Sequence, residues 1–220
     1  MDEFIREVDE EYRRQRIAEI WKRYSALIVG LAFLLVAGVA GWRYWQHVEV
    51  QRSEAASARY EAALKLARDG KPEESEKAFS ALAADAPGGY RVLARFRAAA
   101  ETGKADPAAG AKAYDAIASD GSAESHLRDL ARLRGAMLRL NGSDAQAASA
   151  ELEKLAAPTN AWRHTARELL GLAALKRGDT DGASRWFDQI ASDRDTPQGL
   201  RSRLEIYTAL AAGGAVQTTE

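Results

Sequence analysis

Apolar positions change rhythm twice along the chain. Between residues 3 and 24, Phe4, Ile5, Val8, Tyr12, Ile17, Ile20 and Trp21 recur at steps of three to five among dense charge. That spacing predicts an amphipathic helix over 3–24. From Tyr24 to Trp42 no residue is charged. These 19 residues, at about 1.5 Å of rise each, make roughly 28 Å of helix, close to the hydrocarbon thickness of a bilayer. Beyond Arg43 the chain becomes alanine-rich with helical periodicity, broken by Gly70, Gly103, Gly142 and Gly178 at intervals of 33, 39 and 36 residues.

The uncharged run reads as a membrane anchor over 24–45. Leu27, Phe33 and Leu34 supply apolar surface, and Trp42, Tyr44 and Trp45 stand where interfacial aromatics settle. Before it come Arg6, Arg13, Arg14, Arg16, Lys22 and Arg23, but only Arg43, Arg52 and Arg59 follow closely. This bias places the N-terminus in the cytoplasm and the C-terminal part outside it. Gly38, Val39 and Ala40 also satisfy the small-residue requirement of a signal peptidase, but the acidic stretch ahead favours an uncleaved anchor. Ala26 with Gly30, and Ala37 with Gly41, offer small-residue approaches for a second membrane helix or belong to a span without a dedicated partner. The segment 1–23 is either a cytoplasmic docking element or an interfacial helix lying on headgroups.

The glycine interval points to helix-hairpin repeats over 46–212. Each second helix carries a large apolar pair: Phe79 and Leu82, Tyr114 and Ile117, Leu152 and Leu155, Phe187 and Ile190. Lys71-Pro72, Asp106-Pro107, Ser143-Asp144 and Asp179-Thr180 carry helix-start chemistry. First helices are expected near 53–69, 89–102, 123–140 and 160–177, and second helices near 72–85, 106–119, 144–156 and 179–192. A closing helix from Pro197 to about Ala211 caps the last apolar face, and residues 213–220 form a disordered tail. The fold class is therefore all-α: one N-terminal transmembrane helix followed by a tetratricopeptide-like helix-hairpin solenoid.

Composition narrows the chemistry. Lys and Arg number 31 against 32 Asp and Glu, so no global charge draws nucleic acid. There is no cysteine, hence no disulfide and no thiolate metal site. His47, His126 and His164 lack ligand-like spacing, and no phosphate loop, nucleophile elbow or HExxH motif occurs. No catalytic, cofactor-binding or metal-binding residue is assigned, and no enzyme activity is expected.

Charge is instead sorted between helices. The first helices of units two to four with the closing helix hold 13 basic against 5 acidic residues; the second helices, counted with Asp120 and Asp193 just beyond two of them, hold 4 against 14. Arg97, Arg132 and Arg139 are the candidate groove residues for an acidic partner segment or terminal carboxylate. The alternative is that the two layers simply pair, with acidic first turns answering helix dipoles. The arginines are not read as sharing one register.

Particular motifs carry a resemblance. Gly41-Trp42-Arg43-Tyr44-Trp45 closes the span, and Ser57-Ala58-Arg59-Tyr60 opens the first repeat helix. Tyr90 with Leu93-Ala94 follows, then Gly171, Lys176, Gly178-Asp179, Gly182-Ala183 and Trp186. In these features the chain resembles the ancillary SecYEG translocon subunit family over nearly its full length. The resemblance implies a non-enzymatic, single-pass protein of the bacterial inner membrane. Its implied partners are the bilayer, the translocon membrane subunits, a membrane-anchored periplasmic chaperone and secretory clients. A periplasmic adaptor for envelope assembly or cell division, without translocon contact, has the same architecture, and self-association through the repeats is compatible with either.

Overall fold

The computed structural model describes residues 2–140, 142 and 144–213, with side-chain surroundings from Trp21 onward. The chain divides into two compact units, residues 1–54 and 55–220. The side chains expected to form the amphipathic face of 1–20 and the tail 214–220 lie outside the described residues.

Helix α1 runs without interruption over Asp2–Arg68. Residues 3–24, the uncharged run and most of the first repeat helix expected near 53–69 all fall within it. No proline intervenes before Pro72, and Gln46–Arg52 consists mostly of residues that tolerate a helix well. Gly70 ends the run with φ 76°, a conformation that costs glycine nothing. Within the first unit, α1 is long and apolar enough to cross a membrane, and none of its most apolar stretch is buried. Leu27, Phe33, Leu34, Trp42, Tyr44 and Trp45 are all exposed. Trp42 and Trp45 pack ring to ring at 5.5 Å.

In the second unit the end of α1 is followed by α2 (Pro72–Asp85), α3 (Gly88–Ala105), α4 (Pro107–Ala118) and α5 (Ser125–Arg139). Then come α6 (Ala145–Leu155), α7 (Arg163–Lys176), α8 (Thr180–Ala191) and α9 (Gln198–Gly213). Four hairpins and a closing helix result, as the periodicity predicts. Pro72 and Pro107 open α2 and α4 at positions where a missing N–H is harmless. Asp106 accepts from Ala108 N at 2.9 Å and Ala109 N at 3.1 Å, and Asp179 from Gly182 N at 2.8 Å.

All eight expected apolar residues of the second helices are buried, at 5 % exposure or less. Each pair joins residues of both flanking first helices. Phe79 and Leu82 meet Ala63, Ala94 and Ala98, and Phe187 and Ile190 meet Ala174, Leu200 and Leu204. A lone hairpin would leave that face wet, so the next unit completes each core.

One glycine differs from its reading. Gly103 does not punctuate a turn but lies inside α3, which continues to Ala105, three residues beyond the end expected for that helix. Its missing side chain lets α4 approach at Gly110, where a Cβ would lie 2.3 Å from Gly103 Cα.

Candidate partner-binding surfaces

The structure reveals a register among the basic residues. Arg59, Arg95, Arg132 and Arg167 stand 36, 37 and 35 residues apart, one on each first helix, which corrects the reading that the arginines share no register. Three of them reach an acidic residue at the end of their own second helix. Arg59 pairs with Asp85 at 3.0 Å, Arg95 with Asp120, and Arg167 with Asp193 at 3.2 Å. The carboxylate accepts at a helix C-terminus where carbonyls also need donors, and Arg167 donates as well to the carbonyls of Ala156 and Gln189. Ala157 and Pro158 replace the acid in the third unit. Arg132 turns instead to Asp129 at 2.6 Å and Glu151 at 3.7 Å.

Much of the charge sorting is therefore pairing between layers. The densest cluster gathers on Asp193, which accepts from Arg163 Nε at 2.8 Å and from Arg167. The Arg163 hydrogen bond holds the Asp193 carboxyl well below the usual carboxylate range, against the opposing effect of desolvation. His164 lies among these groups, and burial, then the nearby Arg163 charge, push its imidazole down; Asp193 and Asp195 oppose this, and Arg167 reinforces it. The folded state therefore keeps His164 neutral where the unfolded chain takes up a proton. Stability is full above about pH 6.5, the ordinary imidazole value, and falls as pH drops below it. The melting temperature of the full chain should be lower at pH 5.5 than at pH 7.5. That difference should shrink in His164→Gln, and an unchanged difference would remove His164 as its source.

The three groove candidates are not brought together. Arg97 is exposed on the first-helix layer, where its Nε donates to Tyr60 Oη at 3.1 Å across α1 and α3. Arg132 and Arg139 face the second helices, on a cleft of about 430 Å³ between α4, α5 and α6, where Arg139 is bound bidentately by Asp115. Charge identifies the helix but not its face, so the sequence reading merged two surfaces. Arg134 was missed: it stands 37 residues after Arg97, is exposed, and forms no ion pair among the described residues. Burial pushes the Tyr114 hydroxyl up, and Arg134 and Arg97 both lie near enough to oppose that shift. Further along this layer Arg203 and Tyr207 of α9 donate to Glu168 of α7. Exposed Leu93 lies on α3 and exposed Ile206 on α9. Among the described residues no group of three or more His, Asp or Glu could hold a metal.

Stacked helix hairpins, each sealed by a pair of large apolar residues on its second helix, define the class: the family model for a tetratricopeptide repeat-like domain matches residues 19–207. The chain is 30% identical to the "Ancillary SecYEG translocon subunit" of Escherichia coli (strain K12), over 77% of this chain and 81% of that protein. It is 26% identical to the protein of the same name from Aggregatibacter actinomycetemcomitans, over 83% of this chain and 88% of that one. The chain belongs to the ancillary SecYEG translocon subunit family. No solved structure matches it.

Proposed function

We propose that the protein is a non-catalytic accessory of the SecYEG translocon, linking the channel to a membrane-anchored periplasmic chaperone during export. The observation that carries this reading is the union, in one family member, of a fully exposed apolar helix stretch with a repeat domain. In this reading residues 24–45 hold the protein in the bacterial inner membrane beside the channel. Residues 1–23 stay in the cytoplasm and 46–212 work in the periplasm, as the Lys and Arg bias before the span supports. Arg97 and Arg134 give the first-helix layer two cations for an acidic segment of the chaperone or of an emerging client.

Site-specific photocrosslinking in cells tests it, with p-benzoylphenylalanine in place of Leu34 in one variant and of Arg134 in another. Translocon subunits should be captured at Leu34 and a periplasmic chaperone or secretory chain at Arg134. Division or envelope-assembly proteins at both positions would replace this reading with that of an adaptor lacking translocon contact.

A further inference from the structure

The residue preceding the large buried side chain of each second helix is Ala78, Ala113, Glu151 or Trp186. In the fourth unit Trp186 packs against the apolar cluster built from α5, α6 and α7. Glu151 stands at the equivalent place in the third unit, and the cleft of about 430 Å³ opens there. Its apolar lining is small: Ala118 from α4, Ala136 from α5, Ala147 and Ala148 from α6. The cleft thus lies where one repeat has a tryptophan and this one has an acid.

Its walls are charged but not neutral. Asp115, Asp144 and Glu151 face two guanidiniums, those of Arg132 and Arg139, leaving one formal negative charge. Asp129, which also binds Arg132, adds another, and Lys154 on Glu151 offsets it. At 3.7 Å the contact of Arg132 with Glu151 is an ion pair too long for a hydrogen bond. The remaining partner of Glu151, Lys154 at 3.0 Å, is a largely exposed i,i+3 pair of the kind that contributes little. Glu151 therefore has acceptor capacity beside an alanine-lined space.

We propose that this cleft binds the side chain of an arginine or lysine from a partner polypeptide. The cationic end is held by Glu151, and the alkyl stem lies over the four alanines. The site faces the second helices, away from the Arg97 surface, and it does not depend on the translocon reading.

The test uses the full chain in lipid nanodiscs with ¹³C-labelled alanine methyls, titrated with N-acetyl-arginine amide. N-acetyl-citrulline amide serves as the neutral near-isostere. Saturable shifts should concentrate on Ala118, Ala136, Ala147 and Ala148 with the arginine compound and be absent with citrulline. Glu151→Gln, nearly equal in volume, should weaken binding about tenfold, the loss of one charge-assisted hydrogen bond. Glu151→Trp should abolish binding by filling the cleft, without lowering the melting temperature. Equal shifts from both compounds, shifts spread over alanines of every repeat, or undiminished affinity in Glu151→Gln would each overturn the proposal. Cleft shifts produced instead by N-acetyl-glutamate amide would do so as well.

Discussion

Gly110→Ala should destabilise the repeat domain by about 3 kcal/mol or more, at or beyond the upper end of overpacking costs. Helix propensity alone predicts the opposite, since alanine inside a helix gains about 0.5–1 kcal/mol over glycine. Packing overrides it because of what the new methyl meets. The Cβ would lie 2.3 Å from Gly103 Cα, 2.7 Å from Gly103 N and 3.1 Å from Ala99 O. All three are backbone atoms of α3, so relief requires the two helices to move apart. Separation would open the cluster of Ala99, Tyr114, Ile117 and Ala131 that bonds the second unit to the third. Gly103→Ala is the built-in control: its closest contact, 2.9 Å, is Leu138 Cδ1, the end of a side chain that can change rotamer. Thermal melts of both variants in the full chain decide the matter. Gly103→Ala should lose clearly less than Gly110→Ala, and a reversed order would mean the α3–α4 approach is looser than described.

That contact also marks where the sequence stops being legible. The second-helix pairs could be read because apolar residues three apart, repeated at a steady period, have few other uses. The uncharged run from Tyr24 to Trp42 was equally plain. Gly103 was misread because a turn glycine and a close-packing glycine look alike within a period, and among the described residues only Gly70 and Gly178 take positive φ. The ladder of Arg59, Arg95, Arg132 and Arg167 was hidden by drift in its spacing and by the other arginines on the same helices. Its acidic partners lie 25 or 26 residues further on, at Asp85, Asp120 and Asp193. That second interval was the available signal. Which face Arg132 and Arg139 take was not available from composition, since helix charge is independent of helix rotation.

Phe187→Ala should cost about 3–5 kcal/mol, the range for emptying a large aromatic site in a core. Phe187 is fully buried, and its ring stacks on Tyr207 at 5.4 Å, so it ties α8 to the closing helix. It also presses on α7, where a Cβ at Gly171 would stand 2.3, 2.7 and 2.9 Å from three atoms of that ring. Gly171→Ala alone should therefore be strongly destabilising, because the ring cannot withdraw without disturbing Tyr207. Phe187→Leu should cost less than Phe187→Ala, and it removes Cε1 and Cζ, the two ring atoms nearest the new methyl. Combining Gly171→Ala with Phe187→Leu should recover stability relative to the sum of the two single changes, with a coupling of about 1–2 kcal/mol. Denaturant melts of the four proteins measure that coupling. Strict additivity would mean that glycine is required at 171 for its backbone alone. The expected coupling would mean that glycine and ring are one device, a bare helix surface and the aromatic laid on it, closing the last apolar face of the solenoid.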